Sequence, residues 1–122
     1  MNIRKCNKCG ALIKVLNDCK CDNCGIICCD EEMLELVSNS VDASFEKHVP
    51  QYEINNGEII VKVNHVMEEE HYIEWIACCY GNREEIVYFK PNEEVVAGFK
   101  YVSGSTLYAY CNLHSLWSSK VE

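Results

Sequence analysis

The sequence predicts an all-β protein in two lobes: a small metal-stapled one at residues 1–36 and an immunoglobulin-like β-sandwich at residues 37–122. Three observations carry this. Short β-branched and aromatic runs recur between turn signals, and no long segment has the 3.6-residue period of an amphipathic helix. Cysteine is segregated: seven of the ten lie within residues 6–29, whereas all four histidines lie beyond residue 47. A chain of 122 residues supports one modest core, so a short lobe beside it needs a staple.

Taken in order, residues 11–16 and 33–37 are short strand candidates in the first lobe, the latter with a helical turn as its alternative. Residues 38–44 are small and polar and read as the linker. Residues 58–63 are β-branched and follow the turn signal Asn55-Asn56-Gly57. Residues 72–79 form an aromatic and aliphatic run ending at Gly81-Asn82, which predicts a hairpin. Strands at 85–89, 95–101 and 106–110 complete the set, and 112–117 could be a helical turn. Cys78 and Cys79 sit in an alternating strand, so their side chains should point to opposite faces, at least one as a small buried hydrophobe. Trp75 and Trp117 read as core anchors.

A formal net charge of −8, with basic residues scattered, disfavours nucleic acid and anionic membranes as partners. No apolar run approaches the ~18 residues of a membrane span. The opening Met1-Asn2-Ile3-Arg4-Lys5-Cys6 has no apolar stretch behind its charges, so no secretory signal is expected. A reducing, cytoplasmic compartment follows as an expectation, and with it metal binding rather than disulfides.

The spacings agree. Cys6-Asn7-Lys8-Cys9-Gly10 and Cys21-Asp22-Asn23-Cys24-Gly25 are both Cys-x-x-Cys-Gly turns, in which backbone N–H groups can face thiolates and Gly permits a positive φ. Adjacent Cys28 and Cys29 suit a shared ion better than a bond to each other. Two ligand sets are open for one tetrahedral site: Cys6, Cys9, Cys28 and Cys29, or Cys6, Cys9, Cys21 and Cys24. The pattern alone slightly favours the second, a rubredoxin-like or zinc-ribbon arrangement. Cys19 is left over in either case and reads as a free surface thiol.

A second constellation lies in the larger lobe. Cys111 and His114 are three apart on an expected turn, His65 and His71 bracket an acidic stretch, and His48 stands in Glu46-Lys47-His48-Val49-Pro50. A mixed His and Cys site would suit iron, copper or zinc, but sequence distance does not show that these side chains converge. Glu68-Glu69-Glu70 reads first as a solvated face, with a role in orienting ligand histidines as its alternative.

Three blocks, Glu46-Lys47-His48-Val49-Pro50, 67–76 and 110–117, resemble the signature segments of superoxide reductases. Cys6-x-x-Cys9-Gly10 followed by Cys28-Cys29-x-x-x-Met33 resembles the desulforedoxin module that precedes that domain in desulfoferrodoxins. The resemblance covers nearly the whole chain in order. It implies a desulforedoxin-like domain at 1–36 and a neelaredoxin-like iron domain at 37–122. By the same resemblance, His48, His65, His71 and His114 would be equatorial ligands of a mononuclear iron, with Cys111 as the axial thiolate and the opposite position open. Cys6, Cys9, Cys28 and Cys29 would hold iron, or alternatively zinc. Lys47 would be the cation beside the open position, and Glu46 the carboxylate that occupies it when the iron is oxidised. Two departures stand out: His65-Val66-Met67 replaces the family's His-Pro-Met, and the segment with Cys19, Cys21 and Cys24 is unusual for the module.

The implied reaction is one-electron reduction of superoxide to hydrogen peroxide without release of oxygen. The electron would come from a small donor such as rubredoxin. A homodimer in the cytoplasm of an anaerobic or microaerophilic microbe is the implied setting. Because an acidic chain repels a small anion and charges beyond ~8 Å are screened, attraction falls to Lys47, which would also order the water that delivers a proton. A rubredoxin-like electron carrier with an inert second lobe and a zinc-stapled interaction module are the competing readings.

Overall fold

In the computed structural model, which describes all residues except Asn23, the chain folds as two units, Met1–Val37 and Ser38–Glu122. The first unit has five short strands: β1 (Ile3–Lys5), β2 (Leu12–Lys14), β3 (Ile27–Cys28), β4 (Glu31–Glu32) and β5 (Leu34–Glu35). β1 is the centre of a three-stranded antiparallel sheet in the order β2-β1-β5, and β3 pairs with β4. The strands expected at 11–16 and 33–37 are present in shorter form, and the second is a strand rather than a helical turn.

Two turns shape this unit. Between β1 and β2, Gly10 N–H donates to the Cys6 carbonyl at 2.9 Å and Gly10 takes the left-handed φ of +79° that its lack of a Cβ permits. Gly25 adopts no such conformation, so the second Cys-x-x-Cys-Gly segment is not a copy of the first. Between β3 and β4, register Cys28↔Glu31 leaves a two-residue loop, with Cys29 at φ +52° and Asp30 at +62°. That is a type I′ hairpin, normally made by Asn-Gly, here made by residues that pay a left-handed penalty of about 1–2 kcal/mol each. Nothing in the sequence pattern announced it.

The second unit begins with a four-residue helix, α1 (Phe45–His48), just after the segment read as linker. Seven strands follow: β6 (Gln51–Asn55), β7 (Glu58–Lys62), β8 (Ile73–Tyr80), β9 (Arg83–Tyr88), β10 (Val96–Lys100), β11 (Thr106–Cys111) and β12 (Ser115–Lys120). They form two antiparallel sheets, β10-β7-β6 and β12-β11-β8-β9. Between the sheets lie Ile59, Val61, Phe99, Ile76, Leu107 and Ala109, the alternating inward residues of the facing strands. Cys78 is fully buried in this core and Cys79 points the other way. β6 escaped prediction because most of its residues are exposed and no alternation shows. The stretch 112–117 is a turn followed by β12, not a helix.

Hairpin chemistry is local. Asn56 and Gly57 both take positive φ, +52° and +80°, as a type I′ turn between β6 and β7 demands. Gly81, at φ +55°, leads the two-residue turn from β8 to β9. One irregularity matters for the site. Tyr110 pairs with Trp75, but Cys111 pairs with Ile73, so Glu74 is an extra residue on β8. This bulge keeps Ile73 and Cys111 together in the core, while the Glu74 charge still acts on the Cys111 thiol and raises it. No helix among the described residues is long and apolar enough to cross a membrane.

Leu107 is fully buried at the centre of the sandwich. Leu107→Ala should cost about 2–5 kcal/mol, read by denaturant unfolding of the metal-loaded protein; a cost well under that range would show that the core collapses around the gap.

Candidate metal centre

Four separate segments of the second unit deliver donors to one place. His48 ends α1, His65 follows β7, His71 precedes β8, and Cys111 and His114 flank the turn between β11 and β12. One ligand atom from each of these five residues can be chosen so that all lie within 4.8 Å of one another.

Each ring is held by a local contact. His48 Nδ1 lies 2.6 Å from the Ser44 carbonyl one turn back on α1. A carbonyl only accepts, so Nδ1 carries the proton and Nε2 keeps its lone pair. His65 repeats the device, with Nδ1 donating to the Val66 carbonyl at 2.5 Å. Trp117 stacks on His48, with centroids 4.8 Å apart, and its Nε1 donates to the His114 carbonyl at 2.8 Å. Asn112 ties the two turns together: its Oδ1 accepts from Tyr72 N–H at 3.0 Å and its Nδ2 donates to the Glu70 carbonyl at 2.9 Å. The acidic run 68–70 is itself a tight turn closed by Glu68 and His71 backbone bonds, with exposed side chains. It positions His71 through its backbone and stays solvated, as first read.

The electrostatics favour ligation. Burial holds the His65 imidazole down to about 4 and lowers His48 as well, so both rings are neutral near pH 7. Burial pushes the Cys111 thiol up, while N–H groups of His114 and Leu113 pull it back. Cys111 Sγ lies 3.5 Å from His65 Nε2 and 3.8 Å from His114 Nδ1. His71 Nε2 is buried and has no hydrogen-bond partner. An orphaned buried nitrogen is costly unless something binds it, and a metal ion fits. Five N and S donors exceed the four of a structural zinc site and suit iron.

Above this cluster is an open cleft of about 470 Å³, lined by all four histidines together with Ser44, Lys47, Val66, Asp42 and Glu68. Cys111 is fully buried and does not line it. The cleft therefore opens on the imidazole side, with the thiol behind. Lys47 is its one lysine or arginine among the described residues, and Asp42 and Glu68 share the rim, which sequence reasoning missed. Glu46 is exposed on α1 and is not among the residues lining the cleft.

The first unit holds a second donor group, Cys6, Cys9, Cys28 and Cys29. Cys9 and Cys28 sulfurs are 3.7 Å apart and those of Cys28 and Cys29 3.9 Å. A tetrahedron with metal–sulfur bonds of about 2.3 Å has an edge of about 3.8 Å, so the set fits an S₄ ion. Cys9 N–H, with Lys8 N–H, draws the Cys6 thiol down to about 7, while hydrogen bonding to the Cys6 and Cys9 sulfurs pushes Cys28 up to about 12. Crowded thiols resist a further negative charge until a cation arrives. Cys21 and Cys24 are not part of this group: against the expectation of metal rather than disulfides, they are joined to each other as a disulfide. Cys19 is a free, exposed thiol, as read.

The desulfoferrodoxin family model matches residues 40–120. A desulfoferrodoxin of Syntrophotalea carbinolica is 38% identical over 98% of this chain and 96% of its own length. One from Clostridium acetobutylicum is 42% identical over 79% of each chain. Among solved structures, the superoxide reductase from Treponema pallidum aligns over 97% of this chain and 98% of its own, with TM-score 0.71 and 25% identity. A one-iron superoxide reductase from Giardia intestinalis covers 63% of this chain and 98% of its own, with TM-score 0.55 and 29% identity.

Cys28→Ser should remove one metal equivalent per chain from protein reconstituted with iron or zinc and leave the five-donor cluster loaded. Elemental analysis checks this; full metal retention would show that the four sulfurs are not the ligand set.

Proposed function

The chain belongs to the desulfoferrodoxin family, and on that premise we propose that it is a superoxide reductase, converting superoxide, one electron and two protons into hydrogen peroxide. The observation that carries this is the arrangement of the second unit's donors: four imidazoles facing a solvent-open cleft and a buried thiol behind them. His48, His65, His71, His114 and Cys111 would hold an iron ion, which would supply the electron and Lewis acidity.

The chain's own residues do the rest. Ser44 and Val66 carbonyls keep two imidazoles in the ligating tautomer. Burial of Cys111 in apolar surroundings keeps water from competing for its sulfur, and a thiolate there donates electron density toward the cleft. Lys47 attracts the substrate anion and orders a water that delivers a proton, while Asp42 and Glu68 at the same rim oppose it. One cation against two carboxylates leaves these rim side chains with a net charge of −1, so the attraction they offer a small anion falls to Lys47. Glu46 is the carboxylate that reaches the cleft in the oxidised state, which requires α1 to turn it inward.

The finer assignments belong to the same reading. Residues 1–36 are the desulforedoxin-like domain, with iron, or zinc, in its four-cysteine site. Residues 37–122 are the neelaredoxin-like domain. A small redox protein such as rubredoxin returns the electron, the active species is a homodimer, and the setting is the cytoplasm of an anaerobic or microaerophilic microbe.

The decisive experiment is a metal count with the visible spectrum of the oxidised, iron-loaded protein. A thiolate-to-ferric band lost in Cys111→Ser, with the four-cysteine spectrum retained, is expected, together with peroxide formation from superoxide without oxygen. A rubredoxin-like carrier would show only the four-cysteine spectrum, and a zinc module none.

Lys47→Ala should slow the bimolecular reaction with superoxide and flatten its salt dependence, and Glu68→Gln should accelerate it. Pulse radiolysis across a salt series reads both, and identical rates in the variants would remove the steering role. Glu46→Ala should leave that step nearly intact and change only the spectrum of the resting ferric site; a large rate loss contradicts the assignment.

A further inference from the structure

The segment between β2 and β3 carries three cysteines that neither metal group uses. Cys21 and Cys24 are bonded to each other, their Cα atoms 5.6 Å apart, and both residues are exposed. Beside them, Cys19 is an exposed free thiol whose Sγ is 3.9 Å from the Cys24 carbonyl oxygen. Asp18 fixes it: Oδ1 accepts Cys19 N–H at 2.8 Å and faces Cys19 Sγ at 3.4 Å, while Oδ2 is anchored by Arg4 at 2.6 Å. A thiol is thus held next to a short-loop disulfide, and all three residues are open to solvent.

The other cysteines make this placement informative. Eight are free, including the exposed Cys9 and Cys29. A structural disulfide stabilises most when it closes a long loop in the unfolded chain, and the Cys21–Cys24 bond closes one of the shortest possible. Exposed disulfides in Cys-x-x-Cys loops belong to the labile, exchanging class. The pair is thus poorly placed for a staple, a task the four-cysteine group of the same unit already performs, and well placed for thiol chemistry.

We propose that Cys19, Cys21 and Cys24 form a thiol–disulfide redox site that consumes hydrogen peroxide at the expense of an external dithiol. In the reduced form, one thiolate of the Cys21 and Cys24 pair attacks a peroxide oxygen. The O–O bond breaks, the sulfur becomes a sulfenic acid and hydroxide leaves to take up a proton as water. The other thiol attacks that sulfur, the S–S bond forms and a second water leaves. The pair has lost two electrons and the peroxide has gained them. Recovery runs by exchange: Cys19 thiolate attacks Cys24 sulfur, Cys21 leaves as a thiolate, and an external dithiol reduces the Cys19–Cys24 bond, emerging as its own disulfide. A thiol tethered beside its target acts at an effective concentration of mM order or above, which is the advantage Cys19 confers. The inference rests on the proposed function only for the peroxide's origin, since that reading makes peroxide the product of the same chain.

The test adds peroxide directly, so it stands or falls apart from superoxide chemistry. The full-length metal-loaded protein is reduced with dithiothreitol, freed of reductant, mixed with one equivalent of hydrogen peroxide and alkylated, and its peptides are weighed. Cys21 and Cys24 should be protected from alkylation together, as a disulfide, while Cys19 is alkylated. With excess dithiothreitol, peroxide consumption should fall about tenfold in Cys21→Ser, and Cys19→Ser should still form the disulfide but regain its thiols about tenfold more slowly. Should a variant fail to fold, the alkylation pattern of the unsubstituted protein decides. Cys21 and Cys24 remaining alkylatable after peroxide, or a third metal equivalent per chain bound by these sulfurs, would overturn the proposal, and an unchanged reduction rate in Cys19→Ser would overturn the role of Cys19.

Discussion

The second unit is organised around one electrostatic demand: several imidazoles and a thiol must share a small volume with their lone pairs turned inward. Burial makes this possible by keeping the rings neutral, as the lowered His48 and His65 require. The same burial makes it costly, because inward lone pairs give up water, and His71 Nε2 shows the cost openly. A cation resolves the conflict. Apart from it, the backbone carbonyls of Ser44 and Val66 and the indole of Trp117 hold the rings in place.

The sandwich serves this demand by delivering loops, not strands, to one end. His48, His65 and His71 each lie just outside a strand, and His114 lies in the hairpin turn after Cys111, with Ser115 in the left-handed region at φ +66°. Only Cys111 belongs to a strand proper, and it is the donor that must be shielded. Shielding and exposure are thus divided between regular and irregular backbone. Asn112 braces the result by spanning from the hairpin to the His71 turn with two hydrogen bonds.

Much of this was legible in the sequence, for identifiable reasons. Strands such as β7 and β8 announce themselves because their inward positions are apolar and their turns contain Gly57 and Gly81. The five donors were found through multi-residue blocks, since residues as far apart as His48 and His114 carry no spacing rule of their own. β6 was hidden because most of it faces solvent, and α1 because four residues are too few to show a period. The competing Cys21 and Cys24 set looked as good as the set the fold brings together because a motif records side-chain types and not φ: Gly10 turns left-handed and Gly25 does not. Asp42 and Glu68 were invisible as rim residues because only the tertiary path brings them beside Lys47.

The bulge at Glu74 has a consequence for how such a chain can change over generations. It sets the phase between Ile73 and the rest of β8: with Glu74 taken up as the extra residue, Ile73 and Ile76 share the core face, whereas regular pairing of the same sequence would carry Glu74 onto that face and Ile73 off it. A residue inserted within the regular ladder of β8 would turn the side chains on one side of it onto the wrong face, whereas the segment between β2 and β3 answers to no such phase and tolerates insertion. Inheritance can thus rewrite one stretch of the molecule freely while another is held to the letter. The stretch that carries the additional cysteines is the one where rewriting is permitted.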